Sequence, residues 1–365
     1  MKFLLLSLLL LAGPHARASE SPAPARPYPL WDGQETVAEY AQRVNLPPTQ
    51  TLDLGNGVKL ELVLIPAGQF IMGTPEPETP TETVAVGQAI LGLGGTMALG
   101  LLFVILFQAI RKRQRPNFSL RWLLLFVFAL SIGLYGGVRW WKTVEAWREY
   151  EAAQARYYSA NSGERSAHLV TLTQPFFIGK YVVTQEQYKQ VTRADPSQSK
   201  GKDNPVESVN WDDAQAFCKK LAEYTKQTVR LPTEAEWEFS CRAGTTTNFH
   251  SGDAEADLAR AGWYSANCKS TMHPVGLKEP NSFGLYDMHG NVWQWCEDWY
   301  GEDYYGKSVA ENPQGPSQGT DRVLRGGSWY NFSKICRSAY RFSNSPINLV
   351  YNFGFRVVVP GSKTP

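Results

Sequence analysis

The sequence is poor in the features that mark several common classes of protein. Its net charge is only +2 over 365 residues, so it offers no general electrostatic attraction for a nucleic acid, and we expect no such partner. Its five histidines show no zincin-type spacing, which excludes that pattern of zinc hydrolase. Ser328 follows two glycines but lacks the G-x-S-x-G pattern of a hydrolase nucleophile. Five cysteines, an odd number, leave at least one thiol unpaired within the chain.

Aromatic residues and glycine, by contrast, are plentiful. Aromatics make up 13% of the chain, with 12 Trp, and there are 31 Gly. Large rings combined with many turn-forming residues favour a loop-rich fold in which the rings fill a shallow core. The same composition argues against a simple helical bundle.

The first 18 residues have the pattern of a secretory signal peptide. Lys2 supplies the positive start, residues 3–11 form a short apolar run, and residues 16–18 (Ala-Arg-Ala) resemble a cleavage site. The alternative is an uncleaved N-terminal anchor, although the run is too short to span a bilayer comfortably. Residues 19–52 begin with a stretch rich in Pro and Ala, and we predict that they form a linker.

Two long uncharged segments predict a membrane-spanning hairpin. Residues 84–110 and 122–138 contain no charge, and each is long enough to cross about 30 Å of hydrocarbon. The loop 111–121 between them has five basic residues and no acidic one, which places it in the cytoplasm by the positive-inside rule. The rest of the chain then lies on the extracytoplasmic, periplasmic side, in agreement with the signal peptide. Two buried core helices are the alternative.

Strands and helices are predicted on both sides of the membrane segment. An Asn-Gly pair at 56–57 marks a turn in a β-hairpin that covers 53–73. Beyond the membrane segment, residues 170–172 and 176–184 are strand-like and separated by a short turn, so we expect them to pair. Helices are predicted to start at Thr184 and Thr233, because the side chains that follow each threonine suit the first turn of a helix.

Several motifs together carry a family resemblance. They are residues 62–73 (LVLIPAGQFIMG), 231–238 (LPTEAEWE), 281–288 (NSFGLYDM), 290–295 (GNVWQW), 325–329 (RGGSW) and 354–356 (GFR). In this order they resemble the formylglycine-generating enzyme family, also called the sulfatase-modifying factor family. The resemblance implies an α+β, loop-rich, C-type-lectin-like fold.

The same resemblance implies that the domain is discontinuous. In the family, the first motif is followed within a short loop by the strand that His168 begins here. The membrane hairpin and a stalk are therefore inserted in that loop. We expect the domain to consist of 53–74 and 160–361, with 75–159 inserted between them. Such insertions are tolerated at surface loops because the entropy of loop closure grows slowly with length.

The resemblance also implies where catalysis would occur. The oxidases of the family convert a cysteine of sulfatases to formylglycine with copper and oxygen, using a cysteine pair after Arg-Gly-Gly-Ser. Here Cys336 matches the second cysteine, and Asn331 stands at the first. Because two soft thiolates hold Cu(I) and an amide does not, Asn331 argues against this oxidation. Ser328 and Trp293 complete the candidate catalytic set, with a turn hydroxyl and a core ring as their alternatives.

Three interpretations of Cys336 stay open. It is a buried, inert thiol, a thiol made reactive by a neighbouring arginine, or half of a remodelled metal site with another cysteine. Cys218 and Cys241 match family positions that form disulfides in some members, but their partners there fall on Val357 and Arg341. A disulfide between Cys218 and Cys241 is a further option in an oxidising compartment.

A calcium site is also implied by the resemblance. Asp287, Gly290, Val292 and Gln294 match a turn that binds calcium through side-chain and backbone oxygens in the family. A glutamate of the family is Gln294 here, and calcium usually requires more than one carboxylate, so we expect a weaker site. Asn267 matches part of a second calcium site, in a loop that is shorter here.

Two functions are compatible with these residues. The first is a catalytically diverged domain, held at the outer face of the membrane, that binds an exported protein, a peptide or a glycan in a ring-lined cleft. The second is a working formylglycine-generating oxidase that acts on exported sulfatases, with copper held by Cys336 and an unrecognised partner.

Overall fold

The structure, a computed structural model, describes residues 28–77, 145, 148–151 and 162–361. Its helices are α1 (Val37–Val44), α2 (Gln185–Thr192), α3 (Trp211–Thr225), α4 (Glu234–Arg242) and α5 (Glu255–Ala261). Its strands are β1 (Thr49–Asp53), β2 (Lys59–Ile65), β3 (Gly68–Met72), β4 (His168–Leu172), β5 (Phe176–Gly179), β6 (Gly262–Trp263), β7 (His289–Gly290), β8 (Trp293–Trp299), β9 (Arg322–Arg325), β10 (Arg341–Asn344), β11 (Phe353–Phe355) and β12 (Val358–Pro360).

Two four-stranded sheets and two small ribbons form the framework. The first sheet has the order β1-β2-β5-β12 and is antiparallel throughout. The second has the order β10-β9-β8-β11, with β11 parallel to β8. The ribbons pair β3 with β4 and β6 with β7. This mixture of short helices and mostly antiparallel strands confirms the predicted α+β fold.

The segment before the first motif is part of the fold. Thr36 caps α1 in a capping box, and Tyr40 on that helix is fully buried. The Tyr40 hydroxyl donates to Pro29 O at 2.9 Å and accepts from Ala67 N at 3.1 Å. The linker prediction for 19–52 is therefore wrong over its described part. The Pro- and Ala-rich start of that segment obscured the amphipathic helix that follows.

The strands β4 and β5 do not pair with each other, contrary to the prediction. β4 pairs with β3, and β5 lies between β2 and β12. Residues 173–175 instead carry the chain from the ribbon to the first sheet. Strand propensity is a property of a short segment, whereas the partner strand is chosen by tertiary packing.

The described segments on either side of residues 78–161 lie next to each other. β3 ends with Met72 opposite His168, the first residue of β4. Just beyond, Thr74 N donates to Glu164 O at 2.9 Å. This arrangement is what a segment inserted at a loop requires, because its two ends are already held together.

Other predictions fall outside the described residues. These are the signal peptide 1–18, the membrane helices 84–110 and 122–138, and the cytoplasmic loop 111–121. Among the helices within the described ranges, none has the length and apolar character needed to cross a bilayer. The membrane hairpin therefore stays a prediction.

The helix α4 lies at the centre of the domain and positions the site. Its residues are all buried, and Trp237 and Phe239 are among the largest buried side chains. The predicted caps are confirmed, since Thr184 and Thr233 each complete a capping box at the start of α2 and α4. A second apolar cluster, which includes Phe217 of α3, fills the other side of the first sheet.

Candidate functional site

The connection from β9 to β10 carries three of the four predicted catalytic residues, and two of them, Ser328 and Asn331, form one turn. Asn331 Oδ1 accepts hydrogen bonds from Ser328 N at 3.0 Å and from Ser328 Oγ at 2.6 Å. Asn352 Nδ2 donates to the same Ser328 Oγ at 2.9 Å. Ser328 is fully buried. Its hydroxyl is therefore part of a closed turn, which favours the turn-hydroxyl interpretation of Ser328.

Cys336 lies beneath this turn. A Cβ on Gly327 would come within 2.6 Å of Cys336 Sγ, so the thiol packs this closely only because position 327 has no side chain. The thiol is fully buried among Phe249, Leu258 and Tyr264, and this burial raises its pKa to about 12. A protonated thiol in an apolar cluster favours the inert interpretation of Cys336.

These residues do not fit a copper(I) site. Copper(I) prefers soft thiolate ligands, and Asn331 contributes an amide oxygen that already accepts two hydrogen bonds. In the part of the chain that the structure describes, no group of three or more His, Cys, Asp or Glu side chains is arranged to hold a metal. All five cysteines are free and buried. Cys218 and Cys241 pack in different clusters, so they do not form the disulfide that the sequence allowed.

Trp293 is a core residue at the start of β8. Only 3% of its surface is exposed. Its ring packs against Phe342 and Tyr340, with centroid distances of 4.9 and 6.2 Å. The predicted core alternative therefore fits Trp293 better than a place in an open cleft.

The turn from Asp287 to Gln294 is held together by protein groups. Gln294 Oε1 accepts from Trp237 Nε1 at 2.8 Å and from Arg356 Nε at 2.7 Å, and Gln294 Nε2 donates to Asp287 O at 2.8 Å. Gly290 N donates to Gly326 O at 2.7 Å. Both lone pairs of Gln294 Oε1 therefore accept hydrogen bonds, so this oxygen is not available to a cation. The guanidinium of Arg356 also lies beside it.

Asp287 is the carboxylate of this turn. It is fully buried and accepts from Gly276 N at 2.8 Å. Burial raises its pKa, and the nearby Arg356 offsets this only in part. Val292 packs its side chain into a small apolar cluster. The side chains of this turn therefore supply one buried carboxylate, whereas calcium usually requires more than one, so they fit the predicted site poorly.

Asn267, predicted to belong to a second calcium site, closes a local turn. Its Oδ1 accepts from Tyr264 N at 2.9 Å, and its Nδ2 donates to Gly262 O at 2.9 Å. Both polar ends of the Asn267 side chain are therefore engaged by backbone groups of its own turn.

A buried network of charges, which the sequence analysis missed, joins α4 to the second sheet. Glu234 makes a two-pronged ion pair with Arg341, at 2.7 and 2.8 Å. Glu238 pairs with Arg325 and with Arg242, the latter at 2.9 Å. The signal was present in the sequence, since glutamates four residues apart share one face of a helix. The sequence does not show that this face of α4 is buried rather than exposed to solvent.

The same network joins the two described segments that flank residues 78–161. Glu164, fully buried, makes a two-pronged pair with Arg337 at 2.7 and 2.9 Å. Thr74 Oγ1 donates to Glu164 Oε2 at 3.0 Å, and Gly73 N donates to Glu238 Oε1 at 3.0 Å. Charge-assisted bonds in a dry interior have strict geometry. They fix Gly73, Thr74 and Glu164 relative to α4.

Two stacked histidines lie next to the buried thiols. The rings of His250 and His289 are 4.9 Å apart at the centroids. His289 Nδ1 donates to Cys336 O at 2.8 Å, and His289 Nε2 accepts from His250 N at 3.1 Å. Cys241 Sγ lies 3.7 Å from His289 Nε2, and burial raises the pKa of that thiol to about 12. The contact is therefore not an activated Cys–His pair.

Acidification is expected to destabilise the domain through these histidines. Burial lowers the pKa of His250 from 6.5 to about 4, and burial also lowers that of His289. Between pH 6.5 and 4 the unfolded state binds protons that the folded state does not, so the free energy of unfolding falls as the pH falls. The contribution of His250 is fully present above pH 6.5. Its complete loss amounts to about 3 kcal/mol.

Urea unfolding at intervals between pH 7 and pH 4 tests this expectation. His250→Phe keeps a ring stacked on His289 but cannot take up a proton. Its free energy of unfolding is expected to fall less steeply than that of the parent protein over this range. An identical slope in the two proteins would show that His250 does not contribute.

Several large apolar side chains are exposed on two loops that a hydrogen bond between Asn352 and Ser328 connects. We call this set the apolar rim; it consists of Tyr330, Phe332, Ile347, Leu349 and Tyr351. Their exposed fractions are 63%, 69%, 69%, 62% and 40%, in the same order. Single exposed apolar residues are ordinary, whereas contiguous apolar patches are typical of binding surfaces.

Comparison with known proteins identifies a matching family model and several relatives of this chain. The family model for the sulfatase-modifying factor enzyme 1-like domain matches residues 150–360. A protein named serine/threonine-protein kinase pkn1 from Chlamydia pneumoniae is 40% identical over 156 residues, which cover 42% of this chain and 23% of that protein. The formylglycine-generating enzyme of Streptomyces coelicolor is 36% identical over 168 residues, which cover 42% of this chain and 52% of that enzyme. The chain thus spans about a quarter to a half of these relatives.

A solved structure shares the fold over a larger part of the chain. Treponema denticola variable protein 1 superposes with a TM-score of 0.59 and 24% identity, covering 86% of this chain and 99% of that one. A likeness at this level of identity shows a common fold and leaves the site to be argued from its own residues.

Proposed function

Because the chain belongs to the family of sulfatase-modifying factor enzyme 1-like domains, we propose that it is a diverged member that binds a protein or peptide and does not generate formylglycine. The family fold supplies a rigid frame for the loop after β9. In this chain the loop presents side chains suited to contact with another molecule rather than a pair of metal-binding thiols.

One observation carries this proposal: Asn331 is built into the turn where the resemblance calls for a cysteine. Its Oδ1 accepts from both the N–H and the hydroxyl of Ser328. The remaining thiol, Cys336, is fully buried, and that burial raises its pKa to about 12. A single protonated thiol is a poor ligand for copper(I) and a poor nucleophile.

The alternative function is the oxidase itself, acting on exported sulfatases. The nearly complete set of family motifs favours it, as does the formylglycine-generating enzyme of Streptomyces coelicolor among the relatives. It requires a second thiolate, and at position 331, where the family places it, this chain has an amide whose oxygen accepts hydrogen bonds from Ser328. We therefore favour the binding function.

We further propose that the domain acts outside the cytoplasm, attached to a membrane. The signal-peptide pattern of 1–18, the uncharged segments 84–110 and 122–138, and the basic loop 111–121 support this location. Its partners are then exported proteins, peptides or glycans. A tag inserted at Gln114 that reacts with an impermeant reagent on intact cells would contradict this topology.

The oxidase test uses the full-length protein with copper(I), oxygen and a Cys-Xaa-Pro-Xaa-Arg peptide. We expect no aldehyde product above the level of the Cys336→Ala variant, because position 331 holds an amide where the family has its other copper-binding thiolate. Mass spectrometry of the peptide is the measurement. An aldehyde that forms with the parent protein and is lost in Cys336→Ala would establish the oxidase instead.

Asn331→Cys is the matched gain-of-function variant. It restores a thiol at the position where the family has one, so copper(I) affinity is expected to rise at least about tenfold over the parent protein. Asn331→Ser removes the amide without adding a soft ligand and serves as the control. Equal affinities in all three proteins would show that position 331 is not what prevents copper binding.

A further inference from the structure

Cys336 is followed directly by an arginine that ties it to a distant segment of the chain. Arg337 is buried, and its guanidinium makes the two-pronged pair with Glu164 at 2.7 and 2.9 Å. Its Nε also donates to Lys334 O at 2.9 Å, so one side chain holds both Glu164 and the turn that precedes Cys336. A shift of Glu164 therefore acts on this turn through a single planar group.

The segment that carries Glu164 is a short 3-10 helix, Ser162–Glu164, and polar contacts hold it. Its residues, Ser-Gly-Glu, have no apolar side chain. Gly163 O accepts from Arg341 Nη1 at 2.9 Å, and Glu164 O accepts from Thr74 N at 2.9 Å. Because charge-assisted hydrogen bonds have strict geometry, a small displacement of this helix is enough to break its ion pair with Arg337.

Arg337 also has room to move. A cavity of about 200 Å³ is lined by Arg337, Thr74 and Arg242 among others. Protein interiors are usually too densely packed to hold voids much larger than a water molecule. A guanidinium released from Glu164 can therefore swing away without disturbing the packed core around it.

The other polar contacts of Cys336 are neutral hydrogen bonds. Cys336 N donates to Ser333 O at 2.9 Å, and Cys336 O accepts from His289 Nδ1 at 2.8 Å. Such bonds contribute less than is lost when one partner of a buried ion pair is removed. A buried guanidinium without its carboxylate is driven towards water. Since Arg337 and Cys336 are adjacent in the chain, this movement works against the enclosure of the thiol.

We propose that the Glu164–Arg337 pair is a latch, which keeps Cys336 enclosed while residues 162–164 are docked and opens when they are displaced. In the latched state Cys336 is the inert thiol described above. Residues 73–74 and 162–164 flank residues 78–161, so the latch connects both flanks to the turn of Asn331 and Cys336. The inference goes beyond the binding function and does not rest on it.

The test measures how fast N-ethylmaleimide labels Cys336 in the full-length protein in lipid nanodiscs, followed by mass spectrometry of digested peptides. Cys218, which packs in a different apolar cluster, reports global unfolding in the same sample. In Glu164→Gln we expect Cys336 to be labelled at least about tenfold faster than in the parent protein, and Cys218 to change less than about twofold. An equal rise at both thiols, or no rise at Cys336, would overturn the proposal.

Glu279→Gln is the matched control. It removes the same kind of charge from an exposed pair, in which Glu279 lies 2.8 Å from Arg260. Both thiols are expected to react as they do in the parent protein, since exposed pairs contribute little. Faster labelling of Cys336 in this control would show that the loss of any carboxylate is sufficient, and the latch would be refuted.

Thr74→Val is a milder variant that serves if Glu164→Gln does not fold. It removes the hydrogen bond from Thr74 Oγ1 to Glu164 Oε2 but keeps both charges of the pair. The labelling rate of Cys336 is expected to rise about threefold while that of Cys218 stays constant. A rise confined to Cys218, or shared equally with it, counts against the latch.

The coupling is also testable from the other side, because it is reciprocal. In Gly327→Ala the new Cβ would lie 2.6 Å from Cys336 Sγ and force Cys336 to shift. Hydrogen exchange at the Thr74 amide, which is bonded to Glu164 O, is then expected to increase more than exchange in β2. Exchange at Thr74 that matches the parent protein, or that rises no more than in β2, would contradict the proposal.

Discussion

Replacing Glu238 by glutamine is expected to lower the free energy of unfolding by about 3–5 kcal/mol. Glu238 is fully buried, and it accepts hydrogen bonds from Arg325, Arg242 and Gly73 N. Burial opposes its ionisation, but the two arginines outweigh burial and hold the pKa of Glu238 below its usual value. Glutamine keeps the shape of the side chain but removes the charge, which leaves Arg325 buried with an incomplete counter-charge.

Thermal unfolding of the parent protein and the Glu238→Gln variant measures this effect. A loss of this size corresponds to a fall in Tm of roughly 10 °C for a domain of this length. Asp303→Asn is the control, because it removes the same kind of charge from the exposed pair with Lys307. That variant is expected to unfold like the parent protein, since exposed pairs contribute little. Equal falls in Tm for the two variants would show that burial of the carboxylate does not determine how much its loss destabilises the protein.

The Glu238→Gln variant also tests what the network does for the inserted segment. Gly73 N donates to Glu238, and Arg242 Nη2 donates to Gly73 O at 3.1 Å. Weakening Glu238 is therefore expected to loosen the chain at the base of the insertion before the rest of the domain unfolds. Hydrogen exchange at Gly73 and Thr74 would rise more than exchange in β8. Uniform changes across the domain would contradict this local role.

Replacing Gly290 by alanine is expected to have an effect of similar or larger size, above about 4 kcal/mol. Gly290 has a φ of 74°, a backbone conformation that costs a residue with a side chain about 1–2 kcal/mol. A Cβ at this position would also lie 2.0 Å from Trp263 O and 2.8 Å from Trp263 C. Both atoms belong to the backbone of the paired strand β6, which cannot move aside like a flexible side chain.

Gly284→Ala separates the two causes. Gly284 has a φ of 83°, but a Cβ there would meet no atom within 4 Å. It is expected to show only the conformational cost, about 1–2 kcal/mol. Urea unfolding followed by Trp fluorescence compares the two variants. If Gly290→Ala is no more destabilised than Gly284→Ala, close strand approach is not the reason for glycine at position 290.

Two residues of the motif that resembles a calcium-binding turn make structural contacts in this protein. The family resemblance assigns Gly290 to a calcium-binding turn, yet its contacts here are with Trp263 and with Gly326 O. Gln294 similarly holds Trp237 and Arg356. Residues of a motif can therefore be retained for packing and for internal hydrogen bonds after the residues that complete a metal site have changed.

Local features of the fold were predictable because the interactions that determine them lie within a few residues. The capping boxes at Thr184 and Thr233 depend on side chains three positions away. The turn at Asn56 and Gly57 depends on two residues that tolerate positive φ, and both adopt it. The linker prediction was wrong because composition alone concealed the amphipathic pattern of α1.

The pairing of distant groups was not predictable in this way. Glu164 meets Arg337 and Gly73 meets Glu238, contacts that span 173 and 165 residues. Glutamate and arginine are usually surface residues, so their burial contradicts the ordinary expectation. The apolar rim was missed for the opposite reason, since apolar side chains in a sequence are normally assigned to the core.

By itself, the sequence determined the family resemblance, the absence of a second cysteine at position 331, the caps at Thr184 and Thr233, and the turn at Asn56 and Gly57. These depend on residue identity and on short-range geometry. The tertiary structure alone decided that the Asn331 oxygen is engaged by Ser328, that Cys336 is enclosed, and that Phe332 and Leu349 are left outside. The physical reason is that burial and hydrogen-bond partnership are properties of a site in space, created when segments far apart in the chain pack together.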